Sequence, residues 1–163
     1  MSRIIKEYKT IQKQLNNNRN NQDDEFNNII VSLAPIDPDQ DLTKWEAVIK
    51  GPQGTPYYGF NFILYITIPQ EYPTVPPFFE FQPRSMPHCN VNYNTGEICL
   101  DILKQDHWTP VWNLMSTLKA IWLLLKDPVP ESPLNVDLAN LLRFGDLSAY
   151  NGLINYYLNI NVV

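Results

Sequence analysis

Six prolines fall between Pro69 and Pro87, at positions 69, 73, 76, 77, 83 and 87. Proline fixes its own φ and carries no amide donor, so no helix can run through this stretch. The middle of the chain is therefore rigid extended backbone, with room for one short apolar run, Phe78 to Phe81. A second cluster, Pro128, Pro130 and Pro133, must end whatever helix precedes it.

The flanking segments read as elements of different kinds. Ile4, Ile5, Tyr8, Ile11 and Leu15 share one helical face, opposite Arg3, Lys6, Lys9 and Lys13, and Ser2 can cap the start. Asn16 to Glu25 is a polar loop. Phe26 to Leu33, Trp45 to Lys50 and Phe60 to Ile68 read as strands. The last alternates, with Phe62, Leu64, Ile66 and Ile68 against Asn61, Tyr65 and Thr67. Gly51-Pro52 and Gly54 to Gly59 make a turn. With Phe78 to Phe81 as a fourth strand, short connections predict an antiparallel meander. Pro83 to Trp112 has no period, and long irregular segments in compact domains are usually functional. Leu114, Leu118, Ile121, Trp122 and Leu125 predict a largely buried helix. Shorter helices follow at about Asn135 to Arg143 and Ser148 to Ile160. In the last of these, Leu153, Tyr157 and Ile160 share a face and Tyr156 turns away from it. Helix, four strands, then helices is an α+β order, read as a single domain over 1–163.

Composition bounds the function. A chain of 163 residues can bury roughly 70% of its unfolded surface and needs no metal or disulfide to fold. The formal charge of −5 argues against nucleic acid. The N-terminus is charged within its first residues, which predicts no signal peptide. No apolar run reaches the roughly 18 residues of a membrane span. The two cysteines, Cys89 and Cys99, read as reduced thiols.

Cys99 lies in the irregular segment, just after Asn94-Thr95-Gly96. Between Ile98 and Leu100 it reads either as a small buried hydrophobe or as a nucleophile. Asn90 reads either as an amide that donates to an oxyanion or as an Asn bonded to its own turn. Two Cys and two His lack metal-site spacing, so no metal is expected.

Trp45…Gly51-Pro52…Thr55-Pro56-Tyr57…Gly59, Pro69…Tyr72-Pro73…Pro76-Pro77, His88-Cys89-Asn90, Gly96-x-Ile98-Cys99-Leu100 and Trp108-Thr109-Pro110 stand in this order. The string resembles the ubiquitin-conjugating enzyme family over nearly the whole chain. The resemblance implies an N-terminal helix, a four-stranded antiparallel sheet and C-terminal helices. It implies that Cys99 forms a thioester with ubiquitin, taken from the activating enzyme. Asn90 is then the residue that stabilises the oxyanion or holds the active-site loop, and Ser132 stands at the gate position. The basic helix, with Arg3 and Lys6, matches the surface that docks the activating enzyme. Tyr72 and Thr74 in one loop, and Trp108 and Pro110 in another, match the contacts with RING-type ligases. No cofactor is implied, since ATP is used upstream by the activating enzyme.

The chain departs from the family pattern in places. Cys89 replaces a proline, and one extra residue separates His88 from Cys99. Thr74 stands where many members present Phe, which implies a weaker or different ligase contact. His-Cys-Asn, Trp108 to Trp112 and Gly145 to Tyr150 resemble the peroxisomal, peroxin-four type members. That likeness implies a peripheral place on the cytosolic face of the peroxisomal membrane, with a membrane-anchoring peroxin as partner and an import receptor as substrate. Tyr156 is the residue expected to touch the anchor. Cys89 fills the proline's space, or else is a redox partner of Cys99. Two other functions stay open: a non-catalytic relative, which would lack the cysteine, and an enzyme for another ubiquitin-like modifier.

Overall fold

The structure, a computed structural model, describes residues 2–18 and 28–160. Helix α1 spans Ser2–Asn18, so Asn16 to Asn18 are helical rather than loop; the rest of the expected polar loop, together with Phe26, lies outside the described residues, as does the side chain of Ser2. Ile4, Glu7 and Ile11 form the buried stripe of α1, and Tyr8 meets Trp45 edge-on at 5.5 Å between ring centres. Ile5, expected on that stripe, is instead 41% exposed. It lies one residue from Ile4, about 100° round the helix.

Four strands follow: β1 Ile30–Asp37, β2 Asp41–Lys50, β3 Asn61–Thr67 and β4 Phe78–Phe81. They pair antiparallel in the order β1-β2-β3-β4, the expected meander. Asn28 and Ile29, expected in the first strand, are helical, and that strand runs from Ile30 on to Asp37. Pro35 and two register shifts interrupt its pairing, and the alternation there is too broken to mark a boundary. In register, Leu33 faces Ala47, Trp45 faces Ile66, Ala47 faces Leu64, Ile49 faces Phe62, and Leu64 faces Phe81. All of these side chains are buried, so one face of the sheet is apolar throughout.

Leu114, Leu118, Ile121 and Leu125 belong to the same core and come from α2, Leu114–Lys126. Asn113 caps that helix reciprocally with Ser116: each side chain accepts the other's amide, at 2.8 and 2.9 Å. Helices α3, Val136–Arg143, and α4, Leu147–Ile160, complete the described chain. The buried stripe of α4 is Tyr150, Ile154 and Leu158. Leu153 and Tyr157 are half-buried and Ile160 is exposed, so the expected face is displaced by one stripe. Tyr156 is exposed, as expected.

Candidate active site

Between β4 and α2 the backbone is irregular, and it is stitched by individual bonds rather than by a ladder. The Phe81 amide donates to Gly96 O at 2.9 Å. Gly96 has φ +82°, and a side chain on it would put Cβ 1.8 Å from Phe81 O. Only glycine fits so close a backbone approach. Three residues on, Cys99 is half-exposed, its amide bonded to Asn90 O at 2.8 Å. A shallow cleft of about 210 Å³ opens beside it, lined by Phe78, Leu100, Leu103, Lys104 and Leu134 among others. Lys104 pairs with Asp101 at 3.0 Å, and that hydrogen bond raises its pKa.

Asn90 is fully buried and uses every polar atom of its amide. Its Nδ2 donates to Val129 O at 2.7 Å and to Ser132 O at 2.9 Å. Its Oδ1 accepts from the Val129 amide at 2.8 Å and from Cys89 Sγ at 3.2 Å. The loop that follows α2 is thus fastened to the segment that carries Cys99. The Cys89 carbonyl holds the loop's far end by accepting from the amides of Leu134 and Asn135, at 2.8 and 3.0 Å.

His88, also fully buried, fixes the approach to Asn90. Its Nδ1 accepts the Asn90 amide at 3.0 Å, so the ring proton sits on Nε2 and is donated to Leu124 O at 2.9 Å. Burial lowers its pKa to about 4, so the ring is neutral near pH 7. Burial pushes the Cys89 thiol up to about 11 and leaves it protonated, an inert donor rather than a nucleophile.

The residues expected at docking surfaces separate into struts and exposed contacts. Glu7, which sequence reasoning passed over, is the hub. Its Oε1 accepts the Leu114 amide at 2.5 Å, and its Oε2 accepts the Tyr72 hydroxyl at 2.7 Å. Arg3 Nε lies 3.4 Å from the same carboxylate, and its Nη atoms donate to Pro110 O and Trp112 O at 3.0 to 3.2 Å. Arg3 is therefore occupied in holding a loop to α1, while Lys6 is exposed. Tyr72 and Trp108 are buried, and Trp108 Nε1 donates to Pro73 O at 2.8 Å. Thr74 and Pro110 are exposed, and beside Pro110 stands Val111 at 89% exposure. The signal for Glu7 was its place between Ile4 and Ile11 on the apolar stripe.

Among the described residues no group of His, Cys, Asp and Glu could hold a metal ion, and no helix is long and apolar enough to cross a membrane. The site is one accessible thiol, Cys99, on irregular backbone next to a clamped loop on an α+β scaffold. The family follows from comparison: the ubiquitin-conjugating enzyme family model matches residues 3–156, and the chain belongs to that family. The ubiquitin-conjugating enzyme E2-21 kDa of Saccharomyces cerevisiae is 50% identical over 162 residues, covering 97% of this chain and 85% of that one. Protein PEROXIN-4 of Arabidopsis thaliana is 40% identical over 156 residues, covering 96% and 90%. The crystal structure of the H. polymorpha ubiquitin-conjugating enzyme Pex4p, in complex with the soluble domain of Pex22p, superposes with a TM-score of 0.87. It is 39% identical and covers 97% of this chain and 95% of that one. The fold is therefore that of the family, and the chain is a ubiquitin-conjugating enzyme whose partner is ubiquitin.

Proposed function

We propose that Cys99 carries ubiquitin and that the chain acts, as one catalytic domain, on a peroxisomal protein import receptor. The observation that carries the site is the contrast between the two thiols: Cys99 is half-exposed beside a cleft, and Cys89 is fully buried. In the first transfer the Cys99 thiolate attacks the ubiquitin thioester on the activating enzyme. A new C–S bond forms, the old one breaks, and the leaving thiolate stays on the activating enzyme. In the second, an acceptor amine or thiol attacks the ubiquitin carbonyl of the thioester on Cys99, expels the Cys99 thiolate and releases its proton to solvent. ATP is consumed upstream, and neither step calls for a cofactor or metal.

Asn90 and Ser132 act at this site. Both Nδ2 protons of Asn90 are given to loop carbonyls, so while those bonds stand Asn90 has no donor left for an oxyanion. That supports its loop-holding role. Ser132 sits in the held loop as the gate. Lys6, with Arg3 behind it, docks the activating enzyme. Thr74 and Pro110 meet a RING-type ligase on a platform that Tyr72 and Trp108 hold from beneath.

The peroxisomal assignment is supported by the peroxin-4 relatives and by the Pex4p neighbour, which was crystallised with part of Pex22p. Tyr156, exposed on α4, is the contact for a membrane-anchoring peroxin, and the enzyme works peripherally on the cytosolic face of the peroxisomal membrane. The test is a charging assay with ubiquitin, activating enzyme and ATP on a non-reducing gel. Wild type should give a reductant-sensitive adduct and Cys99→Ala none. An adduct that persists in Cys99→Ala would move the site to Cys89.

A further inference from the structure

The loop between α2 and α3 has an unusual shortage of donors. From 128 to 133 it reads Pro-Val-Pro-Glu-Ser-Pro, so half of its residues lack an amide proton. Its Val129 amide goes to Asn90 Oδ1 and its Ser132 amide to Val129 O, and the rest of its shape comes from groups that donate to its carbonyls. Asn90 supplies two such bonds, to Val129 and Ser132. The carbonyl of Pro130 lies between those two in sequence and is held by a different element. Arg143, in the last turn of α3, donates from Nη2 to Pro130 O at 2.7 Å. Its other arm is braced one turn back, where Nη1 donates to Asn140 Oδ1 at 3.3 Å.

We propose that Arg143 is a positioning residue for transfer: together with Asn90 it clamps three carbonyls of the proline-rich loop and so sets where an acceptor meets the Cys99 thioester. The inference rests on the reading of Cys99 and its gate given above. Arg143 is exposed, and an exposed bond of this kind contributes little to global stability. Its effect falls on local geometry, because a loop freed at its crest can shift while the fold stands. Small displacements of positioning elements cost rate out of proportion to stability. Charging does not involve the acceptor, so it is insensitive to this loop.

The experiment compares wild type, Arg143→Ala and Arg143→Lys in two separate steps, with melting temperature as a control. Charging with ubiquitin should be equal in all three. Discharge of the isolated thioester to free lysine should slow about five-fold in Arg143→Ala. Lysine, which still reaches one carbonyl with a cation, should restore it to within about two-fold. Discharge equal to wild type in Arg143→Ala overturns the proposal. So does an equal loss of charging and discharge with a lowered melting temperature, since that is the mark of a purely structural residue. A wild type that forms no thioester on Cys99 would instead remove the underlying reading, and is seen in the first step.

Discussion

Glu7 beneath the proposed docking surface and Asn90 beside the thiol do the same work with opposite chemistry. Each is a buried polar side chain that ties several backbone segments together. Glu7 only accepts, and what it gathers are donors: the first amide of α2, the Tyr72 hydroxyl and the Arg3 guanidinium. Helix N-termini have amide protons to spare, so a carboxylate fits there. Asn90 faces a loop depleted of amide protons by its prolines, where carbonyls are in surplus. A carboxylate would repel those carbonyls. An amide donates to two of them and accepts the one nearby amide proton. Each region has received the polar group that its backbone lacks.

Removing Glu7 should show the largest effect. Glu7→Ala leaves an amide and a hydroxyl buried without an acceptor, and should cost about 4 kcal/mol of unfolding free energy in urea titration. A cost below about 1 kcal/mol would mean that the hub is incidental and that the parallel with Asn90 is false.

Acid should act on the thiol region through His88. Its folded pKa, about 4, lies below the ordinary value of 6.5, so folding favours the neutral ring. The stability this gives is complete above pH 6.5 and is lost as pH falls through 6.5 toward 4. The loss approaches about 3 kcal/mol, to be measured as the difference between urea curves at pH 7 and pH 4 for wild type and a His88→Asn variant. Parallel pH dependence in the two would remove His88 from the account.

The third effect is kinetic. Asn90→Ala should still charge with ubiquitin but discharge to lysine about 30-fold more slowly, equivalent to about 2 kcal/mol of barrier. Asn90→Asp sharpens the contrast, because its carboxylate faces the carbonyls of Val129 and Ser132 and should be at least as slow. If Asn90→Asp discharged like wild type, the donor shortage of the loop would not be what Asn90 answers.

Much of this was legible in the chain. The alternation from Phe62 to Ile68 gave β3 its buried face, and the prolines marked both the irregular segment and the end of α2. The stripe on α4 was not legible, because Leu153, Tyr157 and Ile160 compete with Tyr150, Ile154 and Leu158 at the same spacing. Only packing decides between them. Arg3 read as part of a basic docking face, since a sequence does not reveal carbonyls such as Pro110 O and Trp112 O arriving from distant segments. For the same reason the shared grip on the loop could not be seen: Asn90 and Arg143 come from distant segments and reach the loop carbonyls only in the fold.

The contrast between the two sulfurs also has a practical side. An electrophile such as a maleimide meets one reachable thiol on the native protein, at Cys99, while Cys89 stays sealed and protonated. Unfolding unseals the second. The number of labels a molecule takes up therefore reads out its integrity, one for intact chains and two for opened ones, without any engineered reporter.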